Sequence, residues 1–418
     1  MSSRAIKLLK NLDTVIEAPS SKAYTLRALF IASLADGESL LRNPLLADDQ
    51  KYAISTLQSL GVGIDVSDEG VRVKGTKGNF KVNNPSLYIG GSGVTTRFLM
   101  TLASLADKDV TIDGEPRMKT GRPSQDLVEA LGSLGVRIES LKGDGCVPIS
   151  VYPGFEGGET RLRGDKSSQY FSSILISAPY ANRDVVIHTE GKLISRPFID
   201  ITIGMMKDFG VEVINENYRK FTVKAGQRYK AREYDIEGDY SGSAFFFEMA
   251  AITGGKMRIT NLSPDTYQGE KKFLDLLNKM GCTVTYGPDY VEVIGGSLKG
   301  IEVDMGDYPD LVPALAVTAA FAKGESKFTG ISHLKEKESD RLMTPVEELG
   351  KMGIEARCTG DSLIVVGGKP HGATINSHGD HRIAMAFSAP GLVVPIIIDG
   401  AEYVSKSCPD FYERLDRL

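Results

Sequence analysis

The chain has 418 residues, 41% hydrophobic and 25% charged, a balance that excludes intrinsic disorder and a length that exceeds one ordinary core. Its formal net charge of −5 argues against a general nucleic-acid binder, and its four cysteines, Cys146, Cys282, Cys358 and Cys408, form no CxxC pair that would suggest zinc or a disulfide framework. No apolar run reaches membrane-spanning length and the start, MSSRAIKLLKNLDTVIEAP, has no signal-peptide stretch, so a cytoplasmic protein is expected. In chain order, an opening strand (RAIKLLK) precedes the first of six apolar, small-residue-rich helices, TLRALFIASLADG, which begins near Thr25. The others begin near Thr95, Ser167, Ser241, Leu311 and His381, and each is followed by a short β-rich run such as VTIDG or PIIIDG. Amphipathic helices such as SQDLVEALGSLG and EKKFLDLLNKMG alternate with them and end at Gly61, Gly135, Gly210, Gly281 and Gly353. A hairpin pattern such as VRVKG or VEVIGG follows each of these glycines, whose spacings are 74, 75, 71 and 72 residues.

Each unit of about 70 residues therefore reads helix, strand, helix, strand, strand. Six units predict an α/β protein of two similar lobes of three repeats each, an inverted α/β barrel with helices inside and sheets outside. The sixth unit stops at SKSCPDFYERLDRL without its closing strands, a gap that the opening strand fills. Residues 1–14 and 234–418 are thus expected to form the C-terminal lobe and residues 15–233 the N-terminal lobe, with the active site in the cleft between lobes.

The segments that open the six inner helices share a chemistry: Ser20-Ser21-Lys22, Gly91-Ser92-Gly93, Lys166-Ser167-Ser168-Gln169, Tyr240-Ser241-Gly242-Ser243, Asp307-Tyr308-Pro309-Asp310 and Gly379-Asp380-His381-Arg382. Small polar residues cap helices anywhere, but six such caps in phase would gather helix N-termini, which favour anions by about 0.3–1 kcal/mol each. Cations stand at or near the same ends: Lys22, Arg27, Arg97, Arg122, Lys337, Arg341, Arg382 and Lys406. Arg27 and Arg97 interrupt apolar helices, where a guanidinium needs a partner. The run Lys335-Glu336-Lys337-Glu338-Ser339-Asp340-Arg341 places an acid/base carboxylate between cations. No Walker loop, HExxH or GxSxG occurs, the histidines lack metal-ligand spacing, and Gly91-Ser92-Gly93 is too short for a dinucleotide fingerprint. A chemistry of small phosphates and carboxylates, without metal or tightly held cofactor, is expected.

Together these phrases resemble the 5-enolpyruvylshikimate-3-phosphate synthase family over Ile6 to Leu415, through Lys337-Glu338-Ser339-Asp340-Arg341, Asp380-His381-Arg382, Ser167-Ser168-Gln169 and Gly238-Asp239-Tyr240-Ser241. The resemblance implies transfer of the enolpyruvyl group of phosphoenolpyruvate to the 5-hydroxyl of shikimate 3-phosphate, in aromatic amino-acid biosynthesis. It implies Lys22, Asp310 and Glu338 as catalytic. Shikimate 3-phosphate would be held by Lys22, Arg27, Ser167, Ser168, Gln169, Ser195, Asp310 and Lys337. Phosphoenolpyruvate would be held by Lys22, Gly93, Arg122, Gln169, Arg341, Arg382 and Lys406. These two small molecules are the expected partners of a monomer that binds neither nucleic acid nor membrane.

The sequence departs from the family pattern at Ala23 (usually Ser), Leu26, Gly91, His333 and Phe198, mostly on the shikimate side. Two other readings share the architecture: a UDP-N-acetylglucosamine enolpyruvyl transferase, whose usual reactive cysteine has no counterpart near Gly114–Arg122, and a degenerate anion-binding homologue without activity. A cyclase of RNA 3′-phosphate ends, built from related repeats, is opposed by chain length and by the Lys-Glu-Ser-Asp-Arg run.

Overall fold

A computed structural model of the chain describes Ser2–Leu418. It contains the six repeats, each built on one apolar inner helix: Lys22–Leu34, Gly93–Leu102, Ser168–Ser177, Tyr240–Thr253, Val312–Ala320 and His381–Ala386. In the first of these every residue from Tyr24 to Leu34 is buried, as its all-round apolar sequence requires. The alternating outer helices bury one stripe only. Gln125–Ser133 buries Leu127, Ala130 and Leu131, and Lys272–Met280 buries Phe273, Leu274, Leu276, Leu277 and Met280. The glycines that end five outer helices all take the left-handed backbone that closes a helix, with φ of 90° at Gly61, 79° at Gly135, 88° at Gly210, 115° at Gly281 and 75° at Gly353. At Gly61 a side chain is also sterically barred, because a Cβ would lie 2.3 Å from the Lys81 carbonyl oxygen.

The sheets hold a strand the repeat pattern did not predict. In the second repeat, Ser86–Tyr88 runs parallel to Val110–Asp113, which pairs antiparallel with Ile149–Val151, itself antiparallel to Ile138–Ser140. The inner helix Gly93–Leu102 is the crossover that joins the parallel pair. Strands such as Ser86–Tyr88 and Glu302–Asp304 are three residues long and carry too little alternation to announce themselves. Five sheets are four-stranded in this way. The sixth has three strands: Ser3–Ala5 lies antiparallel to Ile396–Asp399, closing the repeat that ends early, and Ala373–Asn376 lies parallel on the other side.

The chain forms two compact units, residues 2–21 with Glu237–Leu418, and Lys22–Ile236, each with its own hydrophobic core. The divisions fall at 21/22 and 236/237 rather than at 14/15 and 233/234, and strand pairing gives the reason. Asp13–Glu17 precedes the helix Lys22–Leu34 but pairs with Lys256–Thr260, in register 13 to 256 and 17 to 260. Glu233–Asp235 precedes the helix Tyr240–Thr253 but pairs with Glu38–Arg42, in register 233 to 40 and 235 to 42. Each unit thus completes one four-stranded sheet with a strand from the opposite side of a chain crossing. Among the described residues no helix is long and apolar enough to cross a membrane.

Candidate active-site halves

Within Lys22–Ile236 the expected ligands gather at the first turns of three inner helices. Lys22 opens its helix, and its ammonium lies 2.7 Å from Asp49 Oδ2 on the outer helix Asp48–Ser59. Asp49 is only 3% exposed, so Lys22 is aimed by a carboxylate shielded from water. Arg27, one turn on, donates Nε to Thr202 Oγ1 (2.7 Å), Nη1 to the Ala23 carbonyl (3.0 Å) and Nη2 to the Phe198 carbonyl (2.9 Å). It thereby locks the inner helix to Arg196–Asp208, the helix that follows Ser195. Ser195 is buried in a left-handed conformation with φ of 54°, which turns the chain sharply into that helix. Ser167 caps its helix by accepting from the Gln169 amide at 3.2 Å, and this presents Ser168 and Gln169 on the opening turn.

Gly93 lies against two guanidinium groups. A Cβ there would lie 2.5 Å from both Arg122 Nη2 and Arg97 Nη1. Arg97 donates Nη1 to the Gly93 carbonyl at 3.0 Å and Nη2 to the Arg122 carbonyl at 3.2 Å, while Tyr170 Oη donates to the Pro123 carbonyl at 3.0 Å. Arg97 is therefore the bracket that seats the Arg122 loop. Two guanidinium groups packed on one glycine at a helix N-terminus form a place that an anion stabilises.

Within Glu237–Leu418 the expected residues form one charge network around Arg341, which is 1% exposed. Its Nη1 donates to Asp310 Oδ1 at 2.9 Å and its Nη2 to Glu338 Oε2 at 3.0 Å. Its Nε and Nη2 also grip Asp380 two-fold, at 2.7 and 3.0 Å. Asp380 in turn caps the helix His381–Ala386 by accepting from the Arg382 amide at 2.9 Å. Arg382 donates Nη2 to Asp310 Oδ2 at 2.8 Å and Nη1 to Ser241 Oγ at 2.8 Å. Lys406 Nζ stands 3.5 Å from Glu338 Oε1. Burial on its own would raise the Asp310 carboxyl, but Arg382, Arg341 and Lys337 outweigh it and hold Asp310 down at about 2. Asp380 is wholly buried, whereas the side chains of Asp310 and Glu338 are 20% and 13% exposed. Asp380 is thus the structural anchor, and Asp310 and Glu338 are the carboxylates that a ligand can meet.

The predicted residues divide cleanly. Lys22, Arg27, Gly93, Arg122, Ser167, Ser168, Gln169 and Ser195 belong to one unit, and Asp310, Lys337, Glu338, Arg341, Arg382 and Lys406 to the other. Sequence reasoning missed Asp49, which reads as an ordinary acidic first turn, and the tie from Asp380 to Arg341, 39 residues away. Glu347, Glu348 and His378 hold ligand atoms within 4.8 Å of one another, as a metal site does. Glu348, however, already accepts from Lys351 (2.7 Å), His378 (2.7 Å) and the Asn376 amide (3.0 Å), which makes it a structural junction.

Cationic opening turns in both units, and a pair of reachable carboxylates sharing one arginine, define an enzyme for small, multiply charged acids built on six inverted α/β repeats. Over residues 6–415 the sequence matches the family profile described as EPSP synthase (3-phosphoshikimate 1-carboxyvinyltransferase), and the chain belongs to that family. Relatives named 3-phosphoshikimate 1-carboxyvinyltransferase include one from Methanothermobacter thermautotrophicus, 40% identical with 98% of this chain and 96% of that protein covered. Another, from Trichormus variabilis, is 37% identical with 98% and 97% covered. An EPSP synthase structure from Acinetobacter baumannii superposes with a TM-score of 0.82 at 27% identity, covering 99% of this chain and 97% of that one. The protein is accordingly a transferase of the shikimate pathway that moves an enolpyruvyl group from phosphoenolpyruvate to shikimate 3-phosphate.

Proposed function

We propose that Asp310 and Glu338 divide the proton transfers of this reaction, with Lys22 assisting. Asp310 takes the proton of the attacking 5-hydroxyl, Glu338 protonates the methylene carbon of phosphoenolpyruvate, and the tetrahedral adduct then expels phosphate as the methyl group returns its proton. Shikimate 3-phosphate is held by Lys22, Arg27, Ser167, Ser168, Gln169, Ser195, Asp310 and Lys337. Phosphoenolpyruvate is held by Lys22, Gly93, Arg122, Gln169, Arg341, Arg382 and Lys406. All of these residues belong to one chain, so a monomer suffices.

The observation that carries this reading is that Asp310 bonds both Arg341 and Arg382, at 2.9 and 2.8 Å. A carboxyl held at about 2 is too weak a base for an alcohol. Phosphoenolpyruvate carries a carboxylate and a phosphate, and both compete with Asp310 for those guanidinium groups. As they engage, Asp310 loses its counter-charge, burial lifts its basicity, and the base is armed only when the second substrate is in place. Glu338, tied to Arg341 and close to Lys406, sits among the same cations, and in its protonated form it is the proposed donor to the carbon that phosphoenolpyruvate presents, regaining that proton when the methyl group releases it. A cytoplasmic location suits the four free cysteines, three of them buried.

The test is phosphate release from phosphoenolpyruvate by the purified protein. Release that depends on shikimate 3-phosphate supports the reading. Release that depends instead on UDP-N-acetylglucosamine, or none with either acceptor, overturns it. Near-normal turnover by Glu338→Gln removes Glu338 from the proton-donor role.

A further inference from the structure

Behind the Arg382 corner lies an acid that the mechanism above does not use. Gln268 is buried and its side chain works as a clamp: Nε2 donates to the Gly238 carbonyl (2.8 Å) and to Glu237 Oε2 (3.0 Å), and Oε1 accepts from the Tyr240 amide (3.0 Å). The clamp fixes the turn Gly269–Lys271 against the opening of the helix Tyr240–Thr253. On that same opening turn, Ser241 Oγ receives Arg382 Nη1 at 2.8 Å. Glu270, in the clamped turn, is 3% exposed. The charged groups that bear on it are Asp310 from the turn Pro309–Leu311, Asp239 from the helix cap, and Arg382 from His381–Ala386. Its sequence neighbours are engaged elsewhere: Lys271 Nζ donates to the Pro264 carbonyl at 2.5 Å, and Lys272 pairs with Asp275 at 3.0 Å.

We propose that Glu270 is a positioning acid for the phosphoenolpyruvate half-site, which leaves Arg382 to Asp310 and the substrate anion while uncharged, and becomes a rival carboxylate for Arg382 once ionised. The geometry carries this: a buried carboxyl stands in the turn Gly269–Lys271, next to the Gln268 clamp that ties this segment to the helix Tyr240–Thr253, whose opening turn receives Arg382 through Ser241. The charge count supports it, since Asp310, Glu338, Asp380 and Asp239 already stand among Arg341, Arg382, Lys337 and Lys406. Burial raises the Glu270 carboxyl, Asp310 and Asp239 raise it further, and a hydrogen bond from its own backbone amide and the Arg382 charge only partly oppose them, which leaves it at about 8. Protonated below that pH and ionised above it, Glu270 sets an alkaline limit on phosphoenolpyruvate affinity. A phosphate monoester loses its second proton near pH ~6, so the substrate's own titration lies outside this window.

The inference rests on the reading that Arg382 holds phosphoenolpyruvate, and the experiment separates the two. KM for phosphoenolpyruvate is measured from pH 7 to 9.5 in the full-length enzyme and in Glu270→Gln, each normalised to its own value at pH 7. The wild-type value should climb toward about tenfold per pH unit above the ionisation of Glu270, while the variant's stays within about twofold. An identical climb in both overturns the role of Glu270 and leaves the substrate reading standing. A wild-type protein that neither binds nor turns over phosphoenolpyruvate at pH 7 ends both. Calorimetry of wild-type binding at pH 8, in buffers of different ionisation enthalpy, gives a measure independent of the variant's folding. Phosphoenolpyruvate at Arg382 should favour protonated Glu270, so binding takes up protons, and an absence of uptake overturns the proposal.

Discussion

Asp310 and Arg341 meet at 2.9 Å, oxygen Oδ1 to nitrogen Nη1, while the other oxygen of the same carboxylate takes Arg382 at 2.8 Å. The pairing has a consequence for stability. An unfolded aspartate titrates near ~3.9 and the folded Asp310 carboxyl at about 2. Its folded value is depressed, so the stabilisation is present above about pH 4 and is lost as pH falls through 2. The shift corresponds to about 2–3 kcal/mol. Asp310→Asn should therefore lose melting temperature less steeply than wild type between pH 5 and 2. At pH 7 it should also release phosphate about 10²–10⁴-fold more slowly, as expected for a missing general base. Thermal unfolding across that acid range, with the turnover assay alongside, checks both; parallel melting curves would remove the ion pairs from the acid response.

The repeat architecture was legible because it is written in strong local signals. A glycine must end each outer helix in the left-handed region, and a helix buried on every side must be apolar on every side. The partners of Asp13–Glu17 and Glu233–Asp235 were not legible, since strand pairing across 243 and 193 residues leaves no mark in a segment of five or three residues. Site residues followed the same rule. Lys22, Arg122, Asp310, Glu338, Arg341 and Arg382 lie in segments with recognisable motifs. Of their supports, Arg97 under Arg122 stood out as a cation in an apolar helix, whereas Asp49 under Lys22 and Gln268 under the Ser241 turn lie in sequence that reads as ordinary helix or surface.

Gly93 offers a test of the Arg122 half. A methyl group there would press on Arg122 Nη2 and Arg97 Nη1, both 2.5 Å from the added carbon. Arg97 is fixed by the Gly93 and Arg122 carbonyls, so the loop-borne Arg122 head is the part that yields. Helical backbone at position 93 accepts alanine, and the fold should persist. Gly93→Ala should raise KM for phosphoenolpyruvate about tenfold or more, the cost of one weakened charge-assisted contact, with a much smaller effect on shikimate 3-phosphate. Steady-state kinetics with each substrate varied in turn decides it. Equal changes in both constants would mean that Arg122 serves the two substrates alike.

Glu248 tests the core rather than the site. It lies on the inner helix Tyr240–Thr253, wholly buried, and neither carboxyl oxygen has a hydrogen-bond partner among the described residues. Burial pushes its carboxyl well above the ordinary glutamate value, so the folded protein keeps a proton that the unfolded chain releases near pH ~4.3. Folding therefore binds a proton above that pH, and the sign is a loss of stability as pH rises, up to about 1.4 kcal/mol per unit. Below it the carboxyl is neutral in both states and only its missing hydrogen bonds cost stability, about 1–3 kcal/mol. Glu248→Met keeps the volume and removes both polar atoms. It should raise the melting temperature at pH 5, and raise it more at pH 8. A gain of the same size at both values would show that Glu248 does not change protonation on folding, and a loss at both would mean that the carboxyl is bonded in solution after all.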